Sequence, residues 1–373
     1  MFSADDHRHM ARALALAERG LYTTDPNPRV GCVLVREDAV VGEGWHQRAG
    51  EPHAEVHALR AAGEESRGAT AYVTLEPCAH HGRTPPCADA LLAAGVVRVI
   101  VAMEDPNPLV AGAGLARLAA GGVEVRRGLL EAQAGALNPG FVSRMTRGRP
   151  YTRCKLAMSL DGRTALASGE SKWITGVAAR RDVQRLRARS SAVLSGIGTV
   201  LADDPSLNVR AEDIGQDPPP GGWRQPVRVV VDPRLSTPPG ARLLHLPGRT
   251  LVATCCEDDE AAEPLIDTAA EVIRFPGAAD AVDLEALLRY LGEQEQVNEL
   301  LVETGATLSG AFLRAGLLDE IIIYVAPKLL GSDARGLLHL PGIGHMDEVP
   351  TLEISDVRGV GRDWRVTARP TAR

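Results

Sequence analysis

Short apolar runs and longer amphipathic stretches take turns along the first third of the chain. Ser3 is placed to cap a helix running to about Arg19, with Asp5 and Asp6 in its first turn, where exposed amides favour negative charge. "RVGCVLV" and "AVVGEGW" then read as strands joined by a short polar turn. The helical period returns in "HAEVHALRAAGEE", gives way to the strand "ATAYVTL", and resumes in "PPCADALLAAG", which opens with proline in its first turn. A strand "VRVIVAM", a helix "AGAGLARLAAGG" and a strand "VEVRRG" follow. Strands separated by helices predict an α/β fold with a mainly parallel, covered sheet, here with one antiparallel edge.

The pattern loosens over 138–150, "NPGFVSRMTRGRP", a Gly, Pro and Arg stretch that suits a link between domains 1–146 and 147–373. Alternation then resumes. "YTRCKLAMSL", "SAVLSG", "VRVVVD", "TLVAT", "EVIRF", "LLVE" and "EIIIYVAP" are strand candidates, and "AARRDVQRLRARS", "DLEALLRYLGEQ" and "ATLSGAFLRAGL" are helices. "IGQDPPPGGW" (214–223) reads as a surface loop within the second domain.

Length agrees with this division, since 373 residues exceed one domain of roughly 150. A net charge of −7 argues against a nucleic-acid partner, and 3% aromatic residues leave few platforms for stacking bases. "MFSADDHRHM" lacks the apolar core of a signal peptide or anchor, and no run approaches the roughly 18 apolar residues of a spanning helix. Six cysteines are too sparse for a disulfide framework. A reducing, cytoplasmic compartment with no membrane partner is expected, which leaves clustered cysteines for metal or catalysis. The vicinal Cys255 and Cys256 are read as a reduced, partly buried pair.

"PHAEVHA" sets His53 and Glu55 in an H-x-E at a helix start, and "EPCAHHGRTPPC" (76–87) crowds cysteines, histidines and an arginine into one loop. Together they resemble the zinc deaminase signature, H-x-E followed by P-C-x-x-C. One imidazole and two thiolates hold zinc and leave a fourth position for water, whose pKa the metal lowers. A glutamate that is not a ligand carries the proton from that water to the departing amine. Here eight residues, not two, separate Cys78 from Cys87. Cys87 is the third ligand if Gly82-Arg83-Thr84 bulge and the helix after Pro85-Pro86 returns it to the metal; otherwise His80 or His81 takes that place. Two blander readings stand beside these. A Cys78–Cys87 disulfide is disfavoured in a reducing compartment, and a closed structural zinc site with His57 as fourth ligand gives no reason for Glu55.

"TTDPNPRVGCVLV", "GWHQRAGEPHAEVHAL", "YVTLEPCAHHGRTPPCADAL" and "DPNPLVAGAG" together resemble the bifunctional riboflavin biosynthesis deaminase/reductases, in which the cysteines flank a long loop. "KLAMSLDGRTA", "GESKWITG", "GTVLADDPSLNVR" and "YVAPKLLGSDARG" resemble the reductase half, so the likeness covers essentially the whole chain, weakest over 212–296. The resemblance implies an N-terminal cytidine-deaminase-like three-layer domain and a C-terminal dihydrofolate-reductase-like domain. It implies zinc held by His53, Cys78 and Cys87, with Glu55 as proton shuttle. Asn27 and His46 would face the pyrimidine, and Arg83, Asp105 and Asn107 the ribose phosphate. Lys155 would close this pocket from the second domain. The substrate implied is a phosphorylated diaminopyrimidinone, and the expected assembly is a homo-oligomer, most simply a dimer.

The second site carries less of its own signal. "SGIGTVLADDP" has G-x-G without the third glycine of a dinucleotide fingerprint and reads as a strand-to-loop turn. "LLVETGATLSGAF" is a strand, a small-residue turn and a helix whose first amides suit a phosphate or merely make a tight turn. The resemblance implies NADPH beside Ala157, Trp173, Thr199 and Asp203, its phosphates held by Gly305, Ala306, Thr307, Leu308, Ser309, Gly310 and Ala311. Ser171, Arg187, Leu207, Arg210 and Glu303 would line the substrate, with Arg187 and Arg210 supplying charge for a phosphate ester. Thr304 stands where that family commonly has a smaller residue. Asp161, Asp203, Glu303 or water would provide the reductase proton.

The reading is therefore zinc-dependent deamination followed by NADPH-dependent reduction. A nucleic-acid-editing deaminase with an accessory binding domain would want a basic groove that the acidic balance disfavours. A zinc-stabilised binding module without catalysis would leave Glu55 idle.

Overall fold

Ser3 starts the first helix reciprocally: its hydroxyl accepts from the Asp6 amide, and the Asp6 carboxylate accepts from the Ser3 amide. A computed structural model describes residues 1–79, 86–108 and 110–371. The chain divides into two units, Met1–Gly148 and Arg149–Arg373. Among the described residues no helix is long and apolar enough to cross a membrane.

The first unit runs α1 (Ala4–Glu18), β1 (Gly31–Arg36), β2 (Ala39–Trp45), α2 (Ala54–Ala62), β3 (Thr70–Val73), α3 (Cys87–Ala93), β4 (Arg98–Val101), α4 (Ala113–Ala120), β5 (Glu124–Arg127), α5 (Glu131–Leu137) and α6 (Pro139–Arg147). Its sheet order is β2-β1-β3-β4-β5, with β3, β4 and β5 parallel. The antiparallel strand is β1, which runs against both β2 and β3 and so lies inside the sheet, not at the expected edge. The cause is local: Glu37 and Asp38 both take positive φ (50° and 64°), the two-residue hairpin geometry, and the α2 crossover then inserts β3 on the other side of β1.

α2, α3 and α4 form one helical layer and α1 with α5 the other, enclosing a core that includes Met10, Val33, Leu34, Leu91 and Ile100. A Cβ on Gly44 of β2 would stand 2.4 Å from the Ala54 carbonyl, so glycine is what lets the first turn of α2 lie on the strand. The stretch 138–150 is largely helical, and the boundary between the two units falls near its end, after Gly148. Pro139 occupies the first turn of α6, where a missing amide costs nothing, and Gly148 (φ 68°) ends it. Asn138 pins that start to β1's approach, accepting from the Arg29 amide (2.8 Å) and donating to the Arg29 carbonyl (2.9 Å).

The second unit holds β6 (Tyr151–Ser159), β7 (Arg163–Ala165), α7 (Val177–Arg189), β8 (Ala192–Gly196), α8 (Ile197–Asp203), α9 (Ala211–Ile214), β9 (Val227–Val231), α10 (Arg242–His245), β10 (Thr250–Thr254), α11 (Asp259–Ile266), β11 (Glu271–Arg274), α12 (Leu284–Glu293), β12 (Glu299–Val302), α13 (Ala306–Arg314), β13 (Glu320–Ala326), β14 (Arg335–Gly336), β15 (Leu352–Val360) and β16 (Asp363–Pro370). Nine strands form one sheet in the order β11-β10-β9-β8-β12-β6-β13-β16-β15, parallel up to β13 and antiparallel in its last two pairings. Every strand run named from the sequence is present; the β15–β16 hairpin and the β7–β14 ribbon are additions. Two buried apolar clusters build the core around β8, β9 and β10, one including Leu194, Val229 and Leu251, the other Val193, Val230 and Val252, as the strand alternation requires.

Candidate functional sites

His53 is the N-cap of α2, extended at φ −74° and ψ 169°, and its side chain makes no capping bond. Its Nδ1 instead lies 3.7 Å from Cys78 Sγ and 3.3 Å from Cys87 Sγ. Cys87 opens α3, and its amide donates to Cys78 Sγ at 3.3 Å. The three donor atoms fall within 4.8 Å of one another, and all six cysteines are free thiols, so the disulfide reading fails. His57 is not part of this group, and its Nε2 has no hydrogen-bond partner among the described residues. His80, His81 and Arg83 lie outside the described residues.

The thiols titrate as a pair. The hydrogen bond from Cys87 draws Cys78 well below the usual thiol range, and Cys87, carrying the shared proton, is pushed up. Glu55, in the first turn of α2, is 3% exposed, and burial raises its carboxyl to about 7, against the opposing pull of His53. Its Oε2 finds no partner among the described residues, and such an orphaned buried acceptor calls for one from outside the chain. An imidazole, two sulfurs and an adjacent unsatisfied carboxylate suit zinc with one position left open.

Beside His53, ring to ring at 5.3 Å, stands His46, 2% exposed and kept neutral by burial. Its Nδ1 lies 3.1 Å from the Pro52 carbonyl, which fixes the proton there and leaves Nε2 to accept from the Asn27 amide at 3.1 Å. Asp105 and Asn107 share a turn in which the Asn107 amide donates to Asp105 Oδ1. That turn is tied to Glu76, a residue to which sequence reasoning gave no role; its place two residues before Cys78 was the one available signal.

In the second unit Glu303, at the end of β12, is gripped bidentately by Arg187 of α7 (Nε to Oε1 2.6 Å, Nη2 to Oε2 3.0 Å), and Lys155 Nζ of β6 lies 3.6 Å from Oε2. Burial would raise the Glu303 carboxyl, but Arg187 and Lys155 override it and hold it at about 2. Lys155 and Arg187 thus both face the Glu303 carboxylate. Arg187 Nη1 also donates to the Asn208 carbonyl, next to Leu207, which is 2% exposed at φ 49°. Arg210 pairs with Asp213 at 2.5 Å, and its amide donates to Gln184 of α7. Asp161 accepts from Ser159 Oγ first, and from the Leu330 and Gly331 amides, which hold it at about 2. Asp161 and Glu303 are thus both held below the ordinary carboxylate range.

Gly305 caps α13, whose first turn makes no side-chain capping bond, and a Cβ on Gly305 would meet nothing within 4 Å. Thr307 is exposed, while Ser309 and Gly310 are buried; a Cβ on Gly310 would strike the His339 carbonyl at 2.1 Å. Ala306, Leu308 and Ala311 are half-buried along the same turns. Open space before uncapped amides suits a phosphate. Thr304 fits because Gly196 faces it: a Cβ there would stand 3.1 Å from Thr304 Oγ1. Ala157 pairs with Tyr324 across β6 and β13, Thr199 and Asp203 lie on α8, and Lys172 Nζ is 3.4 Å from Asp203. Ser171 is half-buried, and the exposed Trp173 stacks under Arg180 at 4.6 Å while its carbonyl accepts from Lys328.

Residues 150–366 match the RibD C-terminal domain, and residues 3–103 the cytidine and deoxycytidylate deaminase zinc-binding region. The riboflavin biosynthesis protein RibD of Escherichia coli is 54% identical, over 96% of this chain and 97% of its own. The chain belongs to the RibD family. That of Haemophilus influenzae is 51% identical over 99% and 98%. Among solved structures, Acinetobacter baumannii RibD superposes with a TM-score of 0.92 at 49% identity, covering 99% of each chain. The Thermotoga maritima deaminase/reductase gives 0.84 at 32%, over 98% of this chain and 99% of that one. As a RibD protein the chain is a bifunctional enzyme of riboflavin biosynthesis, with a zinc-binding deaminase domain and an NADPH-using reductase domain.

Proposed function

We propose that this RibD chain hydrolyses one amine of 2,5-diamino-6-(5-phosphoribosylamino)pyrimidin-4-one and then reduces the ribosyl group to ribityl with NADPH. The observation that carries the first step is the buried Glu55 carboxyl, whose Oε2 has no partner among the described residues, in the same unit as three converging metal donors. Zinc held by His53, Cys78 and Cys87 would act as Lewis acid on a water. Glu55, near neutrality, is matched to take a proton from that water and pass it to the departing amine, so that the water oxygen bonds to the ring carbon and becomes the carbonyl while the C–N bond breaks and the amine leaves as ammonia. Asn27 and His46, held to each other by a hydrogen bond, are assigned to the pyrimidine. Arg83, Asp105 and Asn107 are assigned to the ribose phosphate portion.

For the second step, NADPH would supply hydride to the anomeric carbon as its bond to the ring oxygen breaks, and a proton would go to that oxygen. The uncapped turn from Gly305 to Ala311 suits the cofactor phosphates, with Ala157, Trp173, Thr199 and Asp203 beside it. Ser171, Lys155, Arg187, Leu207, Arg210 and Glu303 are assigned to substrate, the Glu303 carboxylate accepting from ribose hydroxyls. Water or one of Asp161, Asp203 and Glu303 would supply the proton. We further assign the chain to the cytoplasm as a homo-oligomer, most simply a dimer.

Mass spectrometry of the product tests both steps. Without NADPH one amine becomes oxygen; with NADPH two hydrogens are gained. Glu55→Gln keeps its zinc and its reductase activity but loses deamination by about 10²–10⁴-fold, the usual worth of a positioned acid–base group. A loss under about tenfold would move that role to another residue.

A further inference from the structure

Glu76 opens the loop that carries Cys78; it is 6% exposed, and its carboxylate pairs with no cation among the described residues. Four backbone amides of one distant segment converge on it instead. Oε2 accepts from Asp105 (3.1 Å) and Gly112 (2.9 Å), and Oε1 from Gly114 (2.8 Å) and, at longer range, Leu115 (3.4 Å). Gly112, the N-cap of α4, offers no side-chain cap, so Glu76 supplies the missing negative cap from across the fold. Two further features show how close this contact is. The Glu76 amide donates to the Met103 carbonyl at 3.0 Å, and a Cβ on Gly114 would stand 1.9 Å from the Pro77 carbonyl.

The N-terminus of α4 is thereby occupied by the protein's own carboxylate and cannot serve a substrate phosphate. What Glu76 fixes are the Asp105 and Gly112 amides, and with them the turn in which Asp105 and Asn107 sit, relative to the chain that enters Cys78 two residues later. We propose that Glu76 is a positioning residue of the deaminase: it sets the turn bearing Asp105 and Asn107 at the distance from the reacting pyrimidine that a ribose phosphate spans, and so makes the site read that part of the substrate. This rests on the deaminase reading above. A carboxylate accepts with both oxygens, whereas an amide of the same shape turns two donors toward amide hydrogens, so Glu76→Gln breaks the clamp with little change in volume.

The experiment uses the full-length protein, unaltered and as Glu76→Gln, with zinc content and NADPH-dependent reduction of the deaminated intermediate as controls of folding. Deamination is measured with the 5-phosphorylated substrate and with the same compound lacking the phosphate. Expected for Glu76→Gln are full zinc and reductase activity, a KM for the phosphorylated substrate raised about tenfold with kcat changed far less, and a correspondingly smaller preference for the phosphorylated compound. Gly114→Ala, which pries the same contact apart from the other side, shifts the preference in the same direction. Loss of zinc, a fall in kcat at unchanged KM, or an unchanged phosphate preference would each overturn the role. Absence of deamination in the unaltered protein sinks the underlying reading too, and that arm alone distinguishes the two failures.

Discussion

Glu303 shows how a residue's chemistry is decided by what surrounds it. A carboxyl this buried would ordinarily be neutral, yet the two-pronged Arg187 contact holds it at about 2, below its ordinary 4.5. Because the folded value lies below the unfolded one, the stability it contributes is complete above about pH 4.5 and is lost as pH falls toward 2. Glu303→Gln should therefore cost about 3 kcal/mol near neutrality, leaving Arg187 buried and unpaired, and much less near pH 3. Chemical unfolding of both proteins at the two pH values checks this, and an equal gap at both would mean that charge is not its source. Sequence patterning singled out Glu303 and Arg187 only through family resemblance. In isolation Arg187 looked like one arginine among many in a charged helix, because nothing local reveals a partner 116 positions away.

At the scale of elements, the strands and helices were largely legible because periodicity is a local property. The exceptions have local competing causes. The stretch 138–150 contains the boundary between the units but is mostly helix, since proline is tolerated in a first turn and Asn138 anchors that turn to Arg29. The β12–α13 turn gives a sharper case. Thr304 stands where the resemblance implies a smaller residue, and the room for its hydroxyl lies on another strand, at Gly196. Gly196→Ala should crowd both Thr304 and Leu308, displace the Gly305 turn and raise the KM for NADPH several-fold. Adding Thr304→Ala should recover most of that loss while leaving deamination untouched. Steady-state reduction kinetics of the two variants decide it; equal defects in both would show that the glycine serves backbone freedom rather than this contact.

The whole molecule joins two units whose cores are separately built, one around Met10, Leu34 and Ile100, the other around the nine-stranded sheet. The three metal donors all belong to the first. Chelation should therefore abolish deamination while reduction of an already deaminated intermediate continues, and zinc should restore the first activity. Following ammonia release and NADPH oxidation in the same sample tests this; loss of both on chelation would show that metal also supports the second unit. Metal uptake must also expel the proton shared by Cys78 and Cys87, so zinc affinity should fall as pH is lowered.

The sequence by itself determined the order of strands and helices, the acidic balance and the presence of a His, Glu and Cys set with deaminase chemistry, because these depend on composition and on spacing along the chain. It left the third metal ligand open between Cys87 and two histidines. Only the tertiary structure brought Cys87 to His53, desolvated Glu55 to near neutrality and turned Glu76 from a loop residue into a clamp on a segment 29 to 39 positions away. Burial and long-range hydrogen bonds arise from which surfaces the fold apposes, and no window of sequence contains both sides of such a contact.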